Sequence, residues 1–171
     1  MSVTRTAQEI EPQLDATLSA LLDYIPYNRY IGVRFDRLGD ELTARMPFSD
    51  HIVGNPMLPA IHGGVMGAFL EITAQMQLAW NLALGEIAKG GDAAERILQR
   101  EFPLIPKTID ISIDFLRSGR PRETFARAVV QRQGRRVVNV HATAWQDERM
   151  RPVANLRGNF LIKHCDGSSD H

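Results

Sequence analysis

The chain has 171 residues, 44% hydrophobic and 23% charged, which places it among globular proteins and excludes disordered and fibrous classes. That length suits one domain whose core needs no disulfide or metal staple. Twenty basic side chains balance twenty acidic ones, so the basic excess of a nucleic-acid binder is absent. The single cysteine, Cys165, falls in a polar tail, which leaves no intrachain disulfide and suits a reducing cytosol. The charged start of the chain lacks the apolar run of a signal peptide, and the uncharged run 72–85 is shorter than the roughly 18 residues of a membrane span. The expectation is a soluble, cytoplasmic protein with neither a nucleic-acid nor a membrane partner.

In chain order, residues 4–23 read as an amphipathic helix. Ile10, Leu14, Leu18, Leu21 and Leu22 recur at helical spacing among Glu9, Glu11 and Asp15, and Pro26 is expected to end it. Two extended runs, 31–37 and 41–46, flank a Leu38-Gly39-Asp40 turn. Residues 47–61 hold Pro47, Gly54, Pro56 and Pro59 and are expected to form an irregular loop. Residues 62–84 give the clearest element, a long apolar helix with Gly85 as its expected C-cap. A charged excursion over 86–103 holds a short helix at 93–100. Everything after residue 105 reads as strand. In 108–116, Ile109, Ile111, Ile113 and Phe115 alternate with Asp110, Ser112 and Asp114. Runs at 124–131, 135–145 and 153–162 follow, expected to form a four-strand meander through turns at Ser118-Gly119, Gln133-Gly134 and Gln146-Asp147. Six strands and one helix apolar on nearly every side predict an α+β architecture, a curved antiparallel sheet wrapped around that helix.

Between Gly64 and Gly85 the one side chain that can ionise is Glu71. Its neighbours include Val65, Met66, Phe69, Leu70, Ile72, Met76 and Trp80, and a carboxylate among them is costly unless it is paired or useful. It is the natural candidate for a general base. Gly64, Ala68, Glu71 and Gln75 fall on one helical face, small and polar where the rest is bulky, and so form a groove with room for a ligand. At the helix start, Gly63 and Gly64 let a substrate approach backbone N–H groups that have no intrahelical partner, an oxyanion site for a carbonyl. About 10 Å along the axis separates Gly64 from Glu71. Either a water fills that distance, or the carboxylate of one subunit meets the glycine turn of another. The bland alternative is a Glu71 paired with a buried Arg or Lys from a strand. His51, His62, His141, His164 and His171 show no ligand spacing, so no metal is expected.

The run from Leu58 through His62-Gly63-Gly64 to Glu71 closely resembles the PaaI-type hotdog thioesterases, in which a His-Gly-Gly turn opens the central helix and an acid follows nine residues after the His. The alternating run from Thr108 to Arg117 resembles the next strand of that family. The resemblance covers roughly 28–163 and implies one hotdog domain, with residues 1–27 as a helical extension and 164–171 as a tail. It implies hydrolysis of acyl-CoA or aryl-CoA thioesters with no cofactor, CoA being part of the substrate. Glu71 would be base or nucleophile, Gly64 with Gly63 would polarise the thioester carbonyl, and His62 would orient or cap the turn. Asn55 is the nearest match to a water-holding Asn, displaced by one residue. Gln75 stands where relatives place a hydroxyl. Arg117, Arg120 and Arg122 at one turn, and Arg135 and Arg136 at another, would meet the CoA phosphates. A homodimer or homotetramer is implied as well. Two rival readings are a hotdog dehydratase or hydratase, for which His51 is the only candidate partner of the acid, and a non-catalytic acyl-binding hotdog domain.

Overall fold

Leucines at one-turn spacing need a covered face, and in the computed structural model, which describes residues 7–102 and 105–162, the first helix finds one. In α1 (Ala7–Asp23), Leu14, Leu18 and Leu21 are buried. Cys165, His164 and His171 lie outside the described residues. Pro26 ends this helix as expected and also opens a second, α2 (Pro26–Tyr30), because its fixed φ and missing N–H suit a first helical turn. β1 (Arg34–Leu38) and β2 (Glu41–Met46) form the expected hairpin. From β1, Arg37 reaches back to Glu11 and Asp15 on α1, the latter at 2.8 Å. Burial disfavours the Arg37 charge, but hydrogen bonds to both carboxylates outweigh it and hold its pKa above the ordinary value.

The stretch expected to be irregular is more ordered than its prolines suggest. A one-turn 3₁₀ helix (Asp50–Ile52) leads into a small hairpin, β3 (Val53–Asn55) with β4 (Ala60–Ile61). The long helix, α3 (Gly63–Lys89), runs straight through Gly85 and ends at Gly90. A glycine inside a helix costs only about 1 kcal/mol of propensity, whereas the positive φ that closes α3 occurs at Gly90, at 73°. Consequently α3 extends into the charged excursion, and the short helix α4 (Gly91–Leu98) starts two residues earlier than expected. β5 (Lys107–Phe115), β6 (Thr124–Gln133), β7 (Val137–Trp145) and β8 (Ala154–Leu161) complete the described chain.

The six long strands make one antiparallel sheet in the order β1-β2-β6-β7-β8-β5. The last four strands are therefore not a simple meander. β6, β7 and β8 are, but β5 lies at the far edge against β8. Residues 116–123, too long for a tight hairpin, carry the chain from that edge to the middle of the sheet. Leu116 and Arg117 both donate to the Val153 carbonyl, and Ile61 donates to the Gly119 carbonyl at 2.9 Å, which fixes this crossing beside the start of α3.

Part of the sheet face under α3 is built from small residues. One cross-strand row reads Ala44, Ala126, Ala144, Ala154 and ends on Phe115 of β5. All four alanines are fully buried. Short side chains there let the helix lie close, so that Phe69, Met76 and Trp80 fill the space between the layers. Gln77 pins the helix to the β1–β2 turn, accepting from the Leu42 N–H and donating to the Asp40 carbonyl.

Candidate active site

The start of α3 is held by its N-cap. His62 Nδ1 accepts from the Gly64 N–H at 2.9 Å, which requires the neutral ring with its proton on Nε2. Gly54 of β3 passes so close that a Cβ there would stand 2.6 Å from the His62 Cα. Only glycine fits, and the small hairpin thereby positions the His-Gly-Gly turn. One expectation needs correcting: the Gly64 N–H, read from sequence as a free oxyanion donor, is already engaged by the capping ring. Among the described residues, the N–H groups without an acceptor in this first turn are those of Gly63 and Val65. A cavity of about 360 Å³ opens beside Gly63, lined also by Ile61, Met66, Phe115, Leu116 and Gly119.

Two turns along, the stripe read from sequence is the part of α3 that the sheet leaves open. Gly64 is exposed and Ala68, Glu71 and Gln75 are half-buried, whereas Phe69, Leu70, Met76 and Trp80 are fully buried. Glu71 therefore stands at the edge of the core rather than inside it. Its Oε1 accepts from Thr108 Oγ1 at 2.6 Å, and no arginine or lysine among the described residues pairs with it. The bland ion-pair reading is thus not realised among the described residues. Gln75 Nε2 donates to the Pro106 carbonyl at 2.7 Å, so consecutive turns of the helix are stitched to the start of β5.

Thr108 escaped the sequence reading because strict alternation puts Ile109 inward. The β5–β8 register slips between Thr108 and Asp110, leaving Ile109 as the extra residue of a bulge, 52% exposed. Thr108 then pairs with buried Phe160 and turns toward the helix. No turn residue or glycine marks the bulge in the sequence, and by alternation Thr108 falls in the outward row with Asp110, Ser112 and Asp114, so no local signal singles it out. Replacing Thr108 by Val keeps the shape and removes the donor to Glu71. If Glu71 does the chemistry, kcat is expected to fall about tenfold with little change in thermal midpoint. Steady-state kinetics on the folded variant checks this, and an unchanged kcat would separate Thr108 from the reaction.

Asn55 is engaged within its own hairpin. Its Oδ1 accepts from the N–H groups of Met57 and Leu58 and makes the β3–β4 turn. His51 bonds Ser49 and packs against Tyr30, and among the described residues no hydrogen bond joins it to Glu71. The arginine clusters separate. Arg117, Arg120 and Arg122 lie on the crossing loop at the α3 N-terminal end of the sheet, with Arg122 paired to Asp147. Arg135 and Arg136 follow β6, roughly 30 Å further along the strands, at the opposite end. Within one chain the two clusters cannot serve one site.

An antiparallel sheet wrapped on one long helix, with a carboxylate on the open side of that helix, defines a hotdog-fold protein. Residues 58–153 match the thioesterase superfamily, and the chain belongs to that family. By class it is a thioester hydrolase. It is 26% identical over 141 residues to a medium/long-chain acyl-CoA thioesterase, YigI, of Escherichia coli K12, covering 81% of this chain and 86% of the relative. A solved structure of a protein from Chromobacterium violaceum superposes with a TM-score of 0.62 at 32% identity, over 93% of this chain and 99% of that one. A phenylacetic acid degradation-related protein from Ralstonia eutropha JMP134 shares the fold, with a TM-score of 0.62 at 21% identity over 85% and 99% of the two chains. Among the described residues no helix is long and apolar enough to cross a membrane.

Proposed function

We propose that this protein hydrolyses acyl-CoA thioesters to the free acid and CoA, with Glu71 activating water or attacking the thioester carbon, and with the N-terminal turn of α3 polarising its carbonyl. The observation that carries the reading is Glu71 itself, a carboxylate on the open stripe of the central helix whose described partner is a hydroxyl rather than a cation. The Glu71 Oε2 has no partner among the described residues and is open for chemistry. The first turn adds the unpartnered N–H groups of Gly63 and Val65, pointing out of the positive end of a 27-residue helix. Gly64 can join them only when the His62 ring gives up its bond.

The base and these donors are about 10 Å apart along one helix axis. The Glu71 carboxylate is also tied sideways to β5, which favours completion of the site by a second subunit. Two further observations support a homodimer. The open stripe of α3 runs beside β5, and β5 is an edge strand with only β8 as neighbour. An unpaired edge with exposed Ile109, Phe115 and Leu116 invites pairing with another copy. The acyl-CoA assignment rests on the curated relative together with the family.

The test is free-thiol release from a panel of acyl- and aryl-CoA esters, run beside enoyl-CoA hydration. Turnover of the esters is the expected result. Hydration without hydrolysis would transfer the site to a dehydratase, and inactivity of the folded protein in both assays would leave an acyl-binding domain.

A further inference from the structure

A single peptide plane, the one shared by Gly119 and Arg120, joins the start of α3 to the residue that follows β7. Its carbonyl accepts from the Ile61 N–H at 2.9 Å, and its N–H donates to Gln146 Oε1 at 2.9 Å. The trans peptide is planar with its N–H and C=O pointing opposite ways, so a hold on one end orients the other. Each of the two bonds also polarises the peptide in favour of its neighbour.

Gln146 is 9% exposed and directs its whole amide at the crossing loop. Nε2 donates to the Arg120 carbonyl at 2.9 Å, the Arg122 carbonyl at 3.3 Å and Thr124 Oγ1 at 3.1 Å. An N–H facing one side of the amide and carbonyls facing the other leave it a single orientation. Side chains of similar length cannot replace it, because an ionised glutamate has no donor and a methionine has neither group.

From Ile61 the hold passes directly to the glycine turn. The next residue, His62, donates its N–H to the Ile52 carbonyl at 2.8 Å and caps Gly64 with its ring. Packing at the junction is close. A Cβ on Gly119 would stand 3.2 Å from Met66 Cε and 3.3 Å from Ile61 Cβ, so the loop and the helix start cannot shift independently. Leu116, Ser118 and Gly119 of the same loop form one wall of the cavity beside Gly63.

We infer that Gln146 is a positioning residue for the reaction, setting through the 119–120 peptide where the first turn of α3 presents its N–H groups to a thioester carbonyl. Backbone donors stabilise a developing oxyanion only where their geometry is fixed beforehand, and a misplacement of about 1 Å costs about a hundredfold in rate. The inference rests on the thioesterase reading. It adds to that reading a side chain outside the cavity beside Gly63, acting on the turn through one loop peptide.

The test compares Gln146→Met with Thr124→Val. The first keeps length and bulk and removes every bond to the loop. The second removes one partner of the same amide and leaves the 119–120 peptide bonded, so it reports local stability alone. Both are assayed for thiol release at a temperature where circular dichroism finds them folded. The expected result is a kcat about tenfold lower in Gln146→Met with KM kept, and a native kcat in Thr124→Val despite a lower thermal midpoint. Equal falls in the two variants, or a native kcat in Gln146→Met, would overturn the inference. Gln146→Asn, polar but one methylene short of the loop, is expected to show the same kcat loss and serves if the methionine prevents folding. Amide hydrogen exchange, followed by NMR, needs no turnover. The Ile61 N–H is expected to exchange about tenfold faster or more in the Gln146 variants, and unchanged exchange would break the proposed link. A native protein that releases no thiol would remove the thioesterase reading, while the exchange comparison would still decide whether Gln146 holds the turn.

Discussion

Replacing Glu71 by Gln is expected to lower kcat for acyl-CoA hydrolysis by about two orders of magnitude or more, with KM changed little. The substitution is nearly isosteric, and the amide oxygen can still accept the hydrogen bond that Thr108 Oγ1 now gives to Glu71 Oε1. Position and packing should therefore survive, and only the ability to take a proton from water, or to attack the thioester carbon, is lost. General-base catalysis and nucleophilic catalysis each contribute at least that much, and a fall in kcat at constant KM is the signature of an interaction used in the transition state. Thiol-release kinetics on the folded variant is the measurement. A fall of less than about threefold would take Glu71 out of the chemistry and leave the groove as a binding surface.

The largest loss of stability is expected at the other side of the same helix. Trp80 lies nine residues after Glu71, a half-turn out of phase, and it is 0% exposed. Trp80→Ala removes the largest fully buried side chain and should cost about 3–5 kcal/mol, lowering the thermal midpoint by roughly 10 °C. Trp80→Phe should cost much less than its lost volume suggests. The indole N–H has no acceptor among the described residues, so the native tryptophan carries a desolvation penalty that phenylalanine removes. Chemical denaturation of both variants checks the pair. Equal costs for the two would mean that the indole nitrogen is satisfied in solution.

How far the sequence was legible follows from which signals are local. Helical spacing of apolar residues is local, and it located α1 and most of α3. The stripe Gly64, Ala68, Glu71, Gln75 was legible for the same reason, since residues three and four apart share a face whatever surrounds the helix. The end of α3 was misread because a glycine can either continue a helix at small cost or close it. Only the backbone conformation, helical at Gly85 and positive in φ at Gly90, distinguishes the two.

The remaining misreadings concern contacts between residues far apart in sequence. Strand pairing is one: the run 107–115 is as good a partner for β6 as for β8 on its own pattern, and only the folded sheet shows the choice of β8. That choice turns a supposed tight turn into the crossing loop that bears Arg117 and Arg120. The bulge at Ile109 is another, and it brings Thr108 to Glu71 across 37 positions of chain. The oxyanion donors are a third. A glycine pair predicts accessible N–H groups, but the His62 cap that occupies one of them depends on a ring orientation that the sequence spacing does not specify, in a space left clear by Gly54 of the neighbouring hairpin.

By itself, then, the sequence determined the class of fold, the central helix with its one acid, and the glycine turn at its start. Those are properties of spacing and composition within a single element. Only the tertiary structure decided which hydroxyl meets the acid, which backbone donors remain free, and which arginines lie at the glycine-turn end of the sheet. Each of these depends on sheet order and register, which arise from contacts between residues far apart in the chain and so leave no pattern within one element.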